Sequence, residues 1–203
     1  MSPDLPRILL ASSSIYRQQL LGKLGLPFHC QSPKVDESKQ PQETIEQMVA
    51  RLSLNKAQAV ASAHPDAIVI ASDQTACTKN QALGKAGNYQ TAFEQLKAQS
   101  GQCIDFYTGL VVYNPSTQNY LRAMDHTQVY FRSLSDTQIH NYLMAEKPYD
   151  CAGSFKSEGL GICLFDRIAT QDPNALIGLP LIQLVNLFKQ MGISLPITRP
   201  AAR

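Results

Sequence analysis

The chain opens with a short apolar run, Arg7 to Ala11, followed by three serines and then by Leu20, Leu21 and Leu24. That order predicts strand, turn and helix, because leucines spaced by three and four share one helical face and serine hydroxyls suit a first turn. Gly25 and Pro27 end the helix. A second helix is predicted from Thr44, where Thr44 and Gln47 make a capping box and Ile45, Met48, Val49, Leu52 and Val60 recur at helical spacing. It stops at His64-Pro65. The apolar run Ala67 to Ser72 then fits a buried central strand, with Asp73 at its C-terminal end. Open α/β sheets place ligands at such ends.

Further along, a helix is expected over Asn88 to Ser100, closed by Gly101. Two long strands follow, Cys103 to Tyr113 and Tyr120 to Arg132, around an Asn-Pro-Ser turn. Ser135 and Gln138 cap another helix that bears Ile139, Tyr142 and Leu143. A loop with Gly153, Gly159 and Gly161 leads to a strand ending at Ile168 and a helix from about Pro180 to Gly192. Helices interleaved with strands around a central strand pair predict an α/β fold with a mixed sheet. A single domain over residues 1–195 is expected, with a flexible tail over 196–203.

Composition narrows the classes of partner. With 203 residues, 44% of them hydrophobic, the chain can bury a sizeable core. Its 18 basic and 16 acidic residues nearly cancel, so no summed field would hold a nucleic-acid polymer or an anionic membrane. Any anion site must be local. The first apolar run is too short for a secretion signal and no later one reaches membrane-spanning length, which points to a soluble, cytoplasmic protein. Five cysteines without a close pair are expected to be buried, reduced thiols.

Several residues bear chemistry. Ser12, Ser13, Ser14 and Arg17 at a strand-to-helix turn bring hydroxyls, backbone N–H groups and a guanidinium together, a set that suits a phosphate and equally an ordinary helix cap. Asp73 can take a proton from water or hold a metal, or simply form a turn, and Asp36 and Glu37 lie in a polar loop able to approach it. Lys56 and Lys85 read as solvated lysines as readily as ligand contacts. Gly84-Lys85 lacks the upstream glycine of a Walker loop, and the histidines at 29, 64, 126 and 140 have no metal-ligand spacing.

Taken together, Leu10 to Ser14, Arg17, Val35-Asp36-Glu37, Ser72-Asp73-Gln74, Gly84-Lys85, Tyr107-Thr108-Gly109 and Gly178-Leu179-Pro180-Leu181 resemble, in order and spacing, the Maf-type nucleoside-triphosphate pyrophosphatases. The segment Gly153 to Gly159 further resembles the 7-methyl-GTP branch of that family. The resemblance implies a mixed, twisted sheet with flanking helices and two lobes around a central cleft, of the kind shared by Maf and ITPase proteins. It implies hydrolysis of 7-methyl-GTP to 7-methyl-GMP and diphosphate with a divalent cation, Mg2+, Mn2+ or Co2+, and removal of noncanonical nucleotides. By position, Asp73 would be the general base, Glu37 and Asp73 the metal ligands, and Tyr16, Gln74 and Glu158 the substrate-specificity residues. Ser12, Ser14, Arg17, Lys56, Lys85 and Lys156 would contact the phosphates. Tyr16 stands where this branch is expected to have tryptophan, and Ile15, Gln18 and Ala86 replace a usual proline, a frequent arginine and another proline. The rivals are a pyrophosphatase for dTTP, UTP or GTP and a non-hydrolytic nucleotide-binding regulator of cell division; a homodimer is left open.

Overall fold

The computed structural model of the chain describes residues 6–79 and 81–196. Its elements run β1 (Arg7–Leu10), α1 (Ile15–Gly22), β2 (His29–Cys30), α2 (Ile45–Ala61), β3 (Ala67–Thr78), β4 (Gln81–Leu83), α3 (Tyr89–Gln99), β5 (Cys103–Asn114), β6 (Asn119–Phe131), α4 (Asp136–Glu146), β7 (Phe165–Ala169) and α5 (Leu181–Gln190). Short 3-10 turns at Leu160–Leu164 and Ala175–Ile177 flank β7. The seven strands form one mixed sheet in the order β2-β1-β3-β5-β6-β7, with β4 on the free edge of β3. Strands β2, β1 and β3 are parallel, and β3, β5, β6 and β7 are successively antiparallel.

The alternation along β3 decides what covers each face. Ile68 and Ile70 point into a cluster with α1 and α5, built on Leu20, Leu21, Leu184 and Phe188. Val69 and Ala71 point the other way, against Ala57 and Val60 of α2. Beyond Thr75 a separate core, with Leu96, Ile104, Phe106, Ile139 and Leu143, gathers α3 and α4 on the long ends of β5 and β6. These cores make the two lobes implied above, joined through the long strands β3, β5 and β6.

The central strand is longer than its apolar run. The expectation that Asp73 ends it is corrected: β3 continues to Thr78, and Asp73 lies in its middle. Pairing with β5 runs unbroken from Val69↔Tyr113 to Cys77↔Asp105, so the ladder carries the strand past polar Ser72 to Thr75. On the other side, β1 pairs only as far as Ile70 and β4 begins only at Ala76. The edge of β3 over residues 71–75 is thus left without a strand partner, and a cleft opens there.

Two further expectations change. Cys30 and Cys163 are exposed and only Cys77 is fully buried; all five thiols are free. Cys30 sits on a two-residue edge strand and Cys163 in a 3-10 turn, where neither is covered. Strands β2 and β4 escape prediction because two or three residues show no periodicity. The expected tail over 196–203 lies, from residue 197 on, outside the described residues. Among the described residues no helix is long and apolar enough to cross a membrane.

Helix α2 comes unusually close to the sheet at Gly109. A Cβ there would lie 2.5 Å from Ser53 Oγ and 3.1 Å from the Val49 carbonyl oxygen. The close approach lets the Ser53 hydroxyl donate to that carbonyl at 2.8 Å and accept the backbone N–H of Asp73 at 3.0 Å. Gly109→Ala is therefore expected to cost about 1–3 kcal/mol of stability through overpacking. Denaturant unfolding should show this loss, with part of it recovered when Ser53→Ala is added.

Candidate functional site

The site residues implied by the resemblance converge on one cleft of about 590 Å³. It is lined from the β1–α1 turn, from α2, from the unpaired stretch of β3, from Lys85 and from the loop Asp150 to Glu158. Helix α1 starts at its edge. Ser14 is its N-cap, accepting the Arg17 N–H at 3.4 Å, and Ser12, buried, accepts the Ser14 N–H at 3.1 Å. The cap reading of these serines thus holds for Ser14, and both residues line the cleft.

Arg17 folds back from α1 and donates from Nε to the Gly178 carbonyl at 2.8 Å. Ser72 donates to the same oxygen, also at 2.8 Å. Gly178 has φ +121, and a Cβ would sit 3.3 Å from Arg17 Nε, so both conformation and space call for glycine. Burial pushes the Arg17 guanidinium below its usual value, while Asp73 and Glu37 pull the other way. The side chain stays cationic, since free arginine titrates so high.

The centre of the cleft is an ionic cluster. Lys56, 7% exposed, reaches Asp73 Oδ1 at 2.6 Å and Glu37 Oε1 at 2.7 Å. Asp73 is 6% exposed and its Oδ2 has no hydrogen-bond partner among the described residues. Lys56 is accordingly matched by two carboxylates rather than held free. Lys85 differs: its side chain is exposed and makes no ion pair among the described residues, while its backbone bridges to Ala152. Asp36, weighed beside Glu37, is absent from the cleft wall and instead accepts the Ser38 N–H and hydroxyl at 2.9 and 2.6 Å. Those bonds hold its carboxyl below the usual range.

Gln74 points to the opposite sheet face from Asp73. Its Nε2 donates to Thr108 Oγ1 at 3.0 Å and to the Ala175 and Leu176 carbonyls at 2.8 and 3.0 Å. Its amide nitrogen is therefore spent on fixing the 3-10 turn before Gly178. Tyr16 and Lys156 both line the cleft and influence each other electrostatically, and Glu158, exposed, follows Lys156 by two residues. Burial raises the Tyr16 hydroxyl above its ordinary value, with Cys151 and Asp150 adding to the effect and Lys156 opposing it. Cys151, on the same wall, is pushed up to about 12, first by burial and then by Asp150.

Some contributions were not visible in the sequence. Ser53 and Ser72 act through hydrogen bonds to distant residues, and Asp172 caps α5 from ten positions upstream, accepting the Ile182 N–H at 2.6 Å and the Gln183 N–H at 3.3 Å. No spacing rule reaches that far. Asp150, which no motif marked, also lines the cleft.

The family model described as Maf-like protein matches residues 7–191. The chain belongs to the Maf family. A relative in Hydrogenovibrio crunogenus named 7-methyl-GTP pyrophosphatase is 56% identical over 192 residues, covering 95% of this chain and 96% of that one. Proteins of the same name in Colwellia psychrerythraea and Nitrosococcus oceani are each 50% identical, covering 92% and 94% of this Maf chain and 93% and 96% of theirs. Among solved structures, the Staphylococcus aureus Ham1 protein aligns at TM-score 0.54 and 15% identity, over 92% of this chain and 99% of that one. That likeness is one of fold.

The loop bearing Glu37 is tied down by Arg51 of α2. Arg51 Nε and Nη2 bond the two Glu43 carboxylate oxygens at 2.6 and 2.8 Å, and Nη2 also donates to the Ser38 carbonyl at 3.0 Å. The bond to Arg51 depresses the Glu43 carboxyl from 4.5 to about 2. Since the folded value is the lower one, the pair stabilises the fold above about pH 4.5 and its contribution is lost as pH falls through about 2. Melting curves of the wild type and Arg51→Gln are expected to differ at neutral pH and to converge at the acid end.

Proposed function

We propose that this Maf protein is a nucleoside-triphosphate pyrophosphatase that hydrolyses 7-methyl-GTP to 7-methyl-GMP and diphosphate. The observation that carries the reaction type is the cluster at the middle of β3, where Glu37 and Asp73 converge on one cation position beside Arg17 and Lys85. The choice of nucleotide is supported by the relatives' names, at 56% and 50% identity over nearly the whole chain. A free nucleotide, in place of a nucleic-acid polymer, agrees with the small net charge of +2.

The donor set fits a hard divalent cation. Two carboxylate oxygens lie 2.7 and 2.6 Å from a single ammonium nitrogen, so they already share one positive centre. Mg2+-type binding typically uses one or two carboxylates, completed by substrate phosphates and water. Such an ion, when bound, supplies charge stabilisation for the α-phosphate and the leaving diphosphate.

Each residue then has a task. Arg17, locked by Gly178, presents a fixed guanidinium to a phosphate, and Lys85 adds a free ammonium. Asp73 Oδ2 takes the proton of the attacking water, while Lys56 orients the carboxylate by its hydrogen bond to Oδ1. The water oxygen bonds to the α-phosphorus, the α–β bridging bond breaks, and its electron pair leaves with diphosphate. Tyr16 offers a ring for stacking on the base and Glu158 a carboxylate for a purine edge. Methylation at N7 makes guanine cationic, so both contacts gain.

Two measurements test this. Diphosphate release from a nucleotide panel with Mg2+, Mn2+ or Co2+ should be fastest for 7-methyl-GTP, with the preference reduced in Glu158→Gln; a clear preference for dTTP or UTP would overturn the substrate. Asp73→Asn should lower kcat by about 10²–10⁴-fold with nucleotide binding retained in calorimetry. Unchanged turnover in that variant would overturn the base.

A further inference from the structure

The loop that brings Lys156 and Glu158 to the cleft is clamped from one face of α4. Tyr142, 6% exposed, accepts the Lys156 backbone N–H on its hydroxyl at 3.0 Å. One turn later Glu146 Oε2 accepts the Leu160 N–H at 2.9 Å, and its Oε1 lies 3.9 Å from Lys156 Nζ. The loop leaves no room beside this carboxylate, since a Cβ on Gly159 would be 2.7 Å from Glu146 Oε2. Gly161 in turn sits so tightly on the Lys156 carbonyl that any Cβ would overlap it. The backbone is thus folded back between Lys156 and Gly161 around a single acidic side chain.

That clamp has an electrostatic result. Lys156 and Glu158 are two residues apart on one cleft wall, yet they form no ion pair. The Lys156 ammonium lies on the Glu146 side instead, 3.9 Å from its Oε1. Glu158 receives one hydrogen bond among the described residues, from the Ser157 hydroxyl at 3.3 Å, and no cation. Its negative charge therefore stays open to the cleft.

We propose that Glu146 is a positioning residue for base selection: by holding Lys156 and the Leu160 amide, it keeps Lys156 from neutralising Glu158, so that the cleft favours a cationic purine over its neutral counterpart. The inference rests on the nucleotide reading above and adds to it a residue outside the cleft wall. A released lysine two positions away would compete directly with a cationic base for the same carboxylate. A purely structural clamp would instead weaken the handling of both nucleotides alike.

The test compares kcat/KM for 7-methyl-GTP and GTP in the full-length wild type, Glu146→Gln, Lys156→Met and the double variant. Glutamine keeps an acceptor for the Leu160 N–H and removes only the charge. Glu146→Gln is expected to lower the 7-methyl-GTP to GTP ratio about tenfold, mainly by raising KM for 7-methyl-GTP, with a wild-type melting temperature. Lys156→Met alone should leave the ratio intact whatever it does to the overall rate, and Glu146→Gln should change nothing further in that background. An unchanged ratio in Glu146→Gln, an equal loss for both nucleotides, or the same fall with Lys156 absent would each overturn the proposal. Should Glu146→Gln fold poorly, a ratio lost in Lys156→Met overturns it independently. A wild type without preference for 7-methyl-GTP would instead bring down the substrate reading, and this inference with it.

Discussion

The buried contact between Lys56 and Asp73 is the constraint around which the rest is arranged. Removing two charges from water costs several kcal/mol per ion unless they are well paired, and here they meet at 2.6 Å with Glu37 as a second anion. That match fixes the height of α2 above β3. Only the missing side chain at Gly109 lets the helix come so near, and Ser53 uses the same approach to satisfy the Asp73 amide. Helix, sheet and ionic centre therefore set one another's positions, and the carboxylate is oriented before any ligand arrives.

A cleft exists at this point because the sheet is incomplete there. Strand β1 stops pairing at Ile70 and β4 starts at Ala76, while β5 supports the other edge of β3 throughout. The strand's alternation then divides the labour. Asp73 faces α2 and its cation, whereas Ser72 and Gln74 face the loop over 175–178 and hold it by its carbonyls. The Gly178 carbonyl passes that order on to Arg17. Asp172, 1% exposed, secures the same loop by capping α5.

The second wall is anchored differently, by aromatic packing. Phe155, within the glycine-bearing loop, meets Phe106, Phe131 and Phe165 edge-on, with centroids 5.4, 5.5 and 4.8 Å apart. Such contacts fix a ring's orientation as well as burying its area. A polar recognition segment is thereby attached to a rigid apolar base, and α4 trims its course through Tyr142 and Glu146.

Much of the fold could be read from the chain because its signals are local. The capping box at Thr44, the periodicity of α2 and the paired long runs of β5 and β6 are settled by near neighbours in sequence, and each recurs in the structure within a residue or two. The cleft residues were legible as well, as separate motifs whose order and spacing resemble one family. What no local pattern contained was the company each side chain keeps. That Lys56 is spent on two carboxylates, that Asp73 sits in mid-strand, and that Glu146 restrains Lys156 all depend on elements far apart in the chain. Hydrogen bonds and ion pairs act over a few ångströms of space, so only the tertiary structure could decide which of these groups meet.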